Sequence, residues 1–373
     1  MRKNGRTKAG SQRWKCVACS ISSTAPRDDR RLRSGLSRFL DWLLSGKCQW
    51  DMDGGGGRAF RKRVQWCWRI RPSIPADGVV RHTVMADGTY MSHGWCLIVA
   101  IDGESGDVIG FQWCSHESKA AYLALFSRIP APDVLVTDGL RGAESACREA
   151  WPGTRIQRCL VHVQRNTRTD LTSRPRLQAG RELKKLSDRL TGVKTAEQAV
   201  RWGEALNAWH ERWKSFLAER TFARDDPANP KAARRRWWWT HEELRRCYRR
   251  LERLFRQGRL FAFLEPGLAS AGPVASTTNL LEGGVNSLIK RTLLEHHGLP
   301  EEHMRRACEW RCYMKSPNPD PCSLIATAFN VTRGDVPDEH ESGEGGYDNG
   351  IQENNRDDPA SEPGFYIRKG HVR

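Results

Sequence analysis

From His82 to Tyr90 the chain reads HTVMADGTY, a strand-like run that delivers one carboxylate, Asp87. Period-two alternation sets Thr83, Met85 and Asp87 on one side and Val84 and Ala86 on the other. A second apolar run, WCLIVAID, spans Trp95 to Asp102, and a third, DVIGFQW, begins at Asp107. Between them Asp102-Gly103-Glu104-Ser105-Gly106 has the residues of a hairpin turn. A helical stretch from Lys119 to Ile129 then leads to DVLVTDG, where Asp138 closes another apolar run 51 positions after Asp87.

Three meander strands, a helix and a strand ending in an acid resemble the opening of a ribonuclease-H-like core. In that fold strands one and four lie side by side, so Asp87 and Asp138 are expected to meet. The fold class predicted is therefore α/β. The balance of 61 Lys and Arg against 44 Asp and Glu gives a net charge of +17 and a pI near 9.6. Such an excess points to a polyanion partner, the bland alternative being a solvated basic surface. Mean hydropathy is low, −0.66, but 15 Trp can build cores. No run of 18 apolar residues occurs, and no apolar segment follows the basic N-terminus, so neither a membrane span nor a secretory signal is expected. Twelve scattered Cys, among them Cys96, Cys147 and Cys247 inside expected strands and helices, suit reduced thiols in a cytoplasm.

In chain order, residues 1–29 are basic and hold Cys16-Val-Ala-Cys19, half the ligand set of a tetrahedral zinc ion. Residues 30–71 read as a small helix-turn-helix-like DNA-binding module. Leu36, Phe39, Leu40 and Leu43 recur at helical spacing, and after Gly54–Gly57 the run RAFRKRVQWCWRIR sets Phe60, Val64 and Cys67 apart from Arg61, Lys62, Arg63 and Arg69. A linker, PSIPAD, precedes the core's first part at 78–163, whose last expected strand, TRIQRCLVHV, carries Cys159 and His162. Residues 164–271 turn helical, with Trp202, Leu206, Trp209, Trp213 and Phe216 forming one apolar stripe that reads as packing core. A capping box at Thr240 and Glu243, with Trp239 stapled to Leu244, should start a further helix. The exposed run Lys231 to Arg236 before it suits phosphates. The final core helices are expected over 272–316, and 317–373 as a disordered, mildly acidic tail.

In STTNLLEGGVNSLIK, Asn279, Glu282, Asn286 and Lys290 step by three, four and four, the spacing of one helical face. A purely structural reading, with Asn279 and Glu282 capping the helix, fits the same spacing. ADGTY, VTDG with a following CLVH, and TTNLLEGGVNSLIKR together resemble the bacterial insertion-sequence members of the Mutator-like superfamily of DDE transposases, over roughly residues 30 to 315.

The resemblance implies a ribonuclease-H-like mixed sheet interrupted by an all-helical insertion between the second Asp and the Glu; the 144 positions from Asp138 to Glu282 leave room for one. It maps the family's acids onto Asp87, Asp138 and Glu282, and its Cys/Asp-x-x-His signature onto Cys159 and His162. The implied activity is metal-dependent cleavage at element ends and transfer of the 3′-OH into target DNA. Two Mg²⁺ or Mn²⁺ ions roughly 3.5–4 Å apart would be bridged by Asp87, with Asp138 on one and Glu282 on the other. His162, Asn286, Lys290 and Arg291, with Arg61, Lys62 and Arg63, are the expected DNA contacts, though His162 also has a structural reading. Implied partners are double-stranded DNA, both terminal repeats and target, and a second copy of the chain; the implied location is the bacterial cytoplasm. Family members with a zinc ribbon carry two CxxC pairs, and here only Cys16 and Cys19 are left to hold Zn²⁺. Two rival readings stay open: a non-catalytic transposase-derived DNA-binding regulator, and another ribonuclease-H-like nuclease.

Overall fold

The computed structural model of the chain describes residues 1–24, 27–53 and 57–329. The acidic tail from 330 onward and Gly54, Gly55 and Gly56 lie outside the described residues. The described residues divide into two units, Pro75–Gly284 and, separately, Met1–Ile74 together with residues from Val285 on.

The first unit is built on a mixed five-stranded sheet. Its strands are β1 (Thr83–Tyr90), β2 (Cys96–Asp102), β3 (Val108–Cys114), β4 (Val134–Thr137) and β5 (Arg155–Arg158), in the spatial order β3-β2-β1-β4-β5. The first three form an antiparallel meander, while β4 and β5 run parallel to β1. Helices α1 (Lys119–Phe126) and α2 (Arg141–Ala150) supply the crossovers. Ser118 caps α1 by accepting the Ala121 N–H at 3.1 Å. Ala121, Tyr122, Leu125, Phe126, Ala146 and Trp151 bury themselves with Val84, Ala86, Ile98 and Leu135 of the sheet.

After β5 the chain forms the helices α3 (Leu160–Leu171), α4 (Gln178–Asp188), α5 (Ala196–Leu217) and α6 (Glu242–Arg256), then a short helical turn, Pro266–Ala269. The expected stripe on α5 is core: Trp202, Leu206 and Trp209 are buried, and the indole N–H groups of Trp202 and Trp209 donate to the carbonyls of Leu186 and Ala179. The expected cap at Thr240 does not form. Trp237–Trp239 pairs with Arg220–Phe222 as a two-stranded ribbon, Thr240 extends it through its N–H to Glu219 and its hydroxyl to Thr221, and α6 begins only after His241.

In the second unit, helices Arg27–Ser45 and Arg58–Val64 share a core with the helix Glu301–Tyr313, in which Phe39, Leu43, Phe60, Cys67 and Trp310 are fully buried. Pro321–Ala328, which the sequence groups with the tail, is a 3₁₀ helix, since Ile325 and Ala328 have apolar partners in that core. A separate three-stranded sheet, Arg2–Arg6, Gln12–Lys15 and Ser22–Thr24, holds Cys16 and Cys19 in one of its turns. Among the described residues no helix is long and apolar enough to cross a membrane.

Candidate active site

The register of two parallel strands brings the first two acids together. Thr83, Val84 and Met85 of β1 pair with Val134, Leu135 and Val136 of β4, so the next in-phase positions are Asp87 and Asp138. Neighbouring strands lie about 4.8 Å apart, which sets two carboxylates side by side at the carboxyl end of β4. Burial pushes the Asp87 carboxyl well above the usual carboxylate range, and the negative charges of Asp138 and Glu117 add to the shift. Asp138 accepts the Leu140 N–H at 3.0 Å, which fixes its carboxylate at the entry to α2.

Each aspartate is followed by a glycine whose missing side chain makes room for a charged group. A Cβ on Gly88 would overlap the carboxyl of Glu117, and one on Gly139 would fall on the guanidinium of Arg158. Gly139 also has φ of +92°, a conformation other residues adopt only with strain.

Glu117 is the site residue that the sequence reading missed. It lies in the loop before α1, accepts the Tyr122 hydroxyl at 2.6 Å, and donates its backbone N–H to the Tyr90 hydroxyl at 3.2 Å. Burial raises its carboxyl to about 7 against the pull of the Tyr122 hydrogen bond, with Asp138 raising it further. The sequence signal was Gly88, a residue with no turn to serve inside a strand.

Cys159 and His162 do not sit on a strand. The β4–β5 ladder ends at Arg158, the Cys159 N–H makes a last bond to the Thr137 carbonyl, and α3 starts at Leu160. Cys159 therefore precedes the first turn of α3 and His162 lies three residues on, on the same side. Glu282 also departs from the α-helical face drawn from the sequence. Leu281–Asn286 forms a π-helical turn, a wider winding that the adjacent Gly283 and Gly284 allow. Lys290 and Arg291 are exposed beyond it, Asn286 is buried and Asn279 is exposed. Glu282 accepts the Thr278 hydroxyl at 2.7 Å and pairs with Arg165 at 3.3 Å, and its carboxylate lies 3.6 Å from His162 Nδ1. The Thr278 N–H and hydroxyl both lie 3.3 Å from Cys159 Sγ.

The donors available for a hard divalent cation are the carboxylates of Asp87, Asp138, Glu117 and Glu282, whose mutual repulsion at Asp87 is what a bound cation would relieve. Asp87, Asp138 and Glu282 do not close to within 4.8 Å as a set. Among the described residues the trio that does is Cys159, His162 and Glu282. Ions held in a pair would not require closer approach, since Asp138 and Glu282 would serve different ions.

Away from this site, Arg61, Lys62 and Arg63 are exposed on the helix Arg58–Val64, with Arg61 donating to Gln49 at 2.8 Å. Of the run Lys231 to Arg236, Arg234 and Arg236 are exposed, whereas Lys231 and Arg235 pair with Glu242. Cys16 and Cys19 gain no third Cys, His, Asp or Glu ligand among the described residues. The companion turn of their sheet, Thr7 to Ser11, has Thr7 and Gly10 where a second knuckle would carry cysteines.

Residues 74–221 match the family model described as Transposase, Mutator family. That stretch includes Asp87, Glu117, Asp138, Cys159 and His162 and ends before Glu282. A curated relative, the transposase for insertion sequence element IS905 of Lactococcus lactis subsp. lactis (strain IL1403), is 30% identical over 95 residues, covering 21% of this chain and 24% of that protein. The chain thus spans about a quarter of the length of that relative.

Proposed function

We propose that this protein, whose residues 74–221 match the family model described as Transposase, Mutator family, cuts DNA at the ends of an insertion sequence and joins the freed 3′-OH to target DNA, using Asp87, Asp138 and Glu282 as its acids. The observation that carries this reading is the common level of Asp87 and Asp138 on adjacent parallel strands, with Glu282 in electrostatic reach of Asp87. The strand order β3-β2-β1-β4-β5, and the helical stretch between β5 and Glu282, support reading the first unit as a ribonuclease-H-like core with a helical insertion.

Asp87, Asp138 and Glu282 would hold two Mg²⁺ or Mn²⁺ ions. When bound, such ions supply the positive charge that stabilises the attacking and leaving oxygens of a phosphodiester. The chain's own part is to fix its donors before DNA arrives. The sheet does so for the two aspartates, and Thr278 with Arg165 does so for Glu282. His162 and Arg165, on the rim beside Glu282, are suited to a phosphate next to the scissile one.

DNA is gripped elsewhere by positive charge. Arg61, Lys62 and Arg63 form one patch, in a region read as helix-turn-helix-like. The ribbon of the helical insertion forms another, where Arg220 lies 4.3 Å from the centroid of Trp237 and Arg245 lies 3.7 Å from that of Trp239. A nicking assay on linear DNA carrying the element's end, with Mg²⁺ or Mn²⁺, tests the reading. Metal-dependent cleavage lost in Asp87→Asn, Asp138→Asn and Glu282→Gln proteins that still bind DNA is the expected result. Binding without cleavage by the unmodified chain would replace it with the regulator reading.

A further inference from the structure

We propose that Cys159 Sγ, His162 Nδ1 and a carboxylate oxygen of Glu282 form a site for one soft divalent cation of the Zn²⁺ or Co²⁺ kind, distinct from the carboxylate cluster and sharing only Glu282 with it. Binding at this site stands on geometry alone; its consequence for DNA cleavage rests on the function proposed above.

The three donor atoms lie within 4.8 Å of one another, and Nδ1 is 3.6 Å from Glu282 Oε1. Ligands around a tetrahedral zinc ion are about 3.3–3.6 Å apart, given metal–ligand bonds of about 2.0–2.3 Å, so only small closure is needed. Thiolate and imidazole prefer Zn²⁺ and Co²⁺ to Mg²⁺, so the donor set selects against the ions that suit Asp87 and Asp138. Cys159 is fully buried and His162 and Glu282 are 17% and 25% exposed, which leaves one open side for a water or phosphate oxygen as fourth ligand. The outer contacts are also those of a metal site. The Thr278 N–H faces Cys159 Sγ, and its hydroxyl sits between that sulfur and Glu282 Oε1, orienting two ligands from one residue. The Arg165 guanidinium, 3.3 Å from Glu282 and 3.4 Å from His162 Nε2, sets a positive charge against the site.

An ion held here takes Glu282 out of the hard-cation cluster. Zn²⁺ would then act as an inhibitor that Mg²⁺ cannot displace by competing for sulfur, and a thiophilic chelator would reverse it.

The test is a Co²⁺ titration of the metal-free full chain in a Cys16→Ser/Cys19→Ser background, which removes the other thiol pair. One equivalent should bring up a near-ultraviolet thiolate-to-cobalt absorption band with intense tetrahedral visible bands, and Zn²⁺ should bleach them while excess Mg²⁺ does not. Cys159→Ser should remove the thiolate band. His162→Gln, Glu282→Gln and Thr278→Val, each keeping the sulfur, should weaken Co²⁺ binding at least about tenfold, and Arg165→Ala should tighten it. Asp138→Asn should leave the spectrum unchanged. Absence of the band in the double-serine background, or its survival in folded Cys159→Ser protein, would overturn the site; a Cys159→Ser protein that fails to fold leaves the His162, Glu282 and Thr278 variants to decide, and wild-type affinity in all three overturns it too. The spectrum reads the metal whatever the chain does to DNA. A normal band in a protein that never cleaves would leave this site standing and remove the proposed activity.

Discussion

Asp87 and Asp138 are fixed by backbone: a parallel ladder three rungs long leads both strands to the same level, and the glycine after each acid leaves space for a neighbouring charge. Glu282, Cys159 and His162 are fixed by side chains instead, through Thr278 and Arg165, on a π turn and at the start of a helix. The difference separates what can move. A sheet residue cannot shift without breaking ladder hydrogen bonds, whereas a carboxylate held by one hydroxyl and one half-exposed guanidinium can swing by rotation about its own side-chain bonds. The strand half presents hard donors in a rigid frame; the helix half presents one hard donor that can be shared with sulfur and imidazole.

The largest effect expected is on the strand half. Asp87→Asn or Asp138→Asn should lower metal-dependent cleavage by about 10³ or more, equivalent to roughly 4 kcal/mol of barrier. Since burial and like charge disfavour the Asp87 carboxylate, Asp87→Asn should also raise the melting temperature of the metal-free protein. A drop in both cleavage and melting temperature would mean that the residue serves the fold. On the helix half, Glu282→Gln keeps an oxygen for the Thr278 hydroxyl but loses the charge, so cleavage should fall by about 10² with little change in melting temperature. Normal cleavage by that variant would reduce Glu282 to a structural residue and sink the three-acid assignment.

Much of the strand half was legible in the sequence, because alternation and a closing acid are local patterns; the β1–β4 pairing was expected only from the resemblance to a known fold. The helix half was only partly so. The positions of Glu282, Cys159 and His162 stand out by spacing, but the π turn depends on two glycines relaxing the winding, and where β5 ends depends on how many rungs β4 can offer. Glu117 was hard to find because its only trace in the sequence is Gly88, on a strand distant in the chain from the loop that carries it. The partnership of Phe39 and Phe60 with Trp310 was equally hidden, since nothing in either segment specifies which distant apolar face it meets.

The two glycines sharpen the comparison through stability. Gly139→Ala should cost about 3 kcal/mol or more, since the new methyl meets the Arg158 guanidinium and the backbone has φ of +92°. Gly88→Ala should cost about 2 kcal/mol, because its methyl meets only the end of the Glu117 side chain. Combining Gly88→Ala with Glu117→Ala should recover most of that loss, while no such rescue is expected for Gly139→Ala. Equal melting temperatures for Gly88→Ala with and without Glu117 would show that the carboxyl does not occupy the space.

The last effect expected is a pH dependence carried by Glu117 and Asp87. The Glu117 carboxyl ionises near 4.3 in an unfolded chain and at about 7 in the folded one, chiefly because burial disfavours its charge. Between those values the folded protein binds the extra proton, so stability from this group is full below the unfolded pKa and is lost as pH rises through the folded one. Asp87, raised in the same sense, works in the same direction. The metal-free protein should therefore lose about 1–3 kcal/mol between pH 5 and pH 8, the upper figure being the shift taken at full value and the lower allowing for partial solvent exposure. Glu117→Gln should flatten that slope, and Glu282→Gln should change it little. Mn²⁺ should raise the melting temperature more at pH 8 than at pH 5, because a cation relieves a repulsion that exists only when the acids are ionised. An unchanged slope in Glu117→Gln would assign the pH dependence to other groups and leave Glu117 as a packing residue under Gly88.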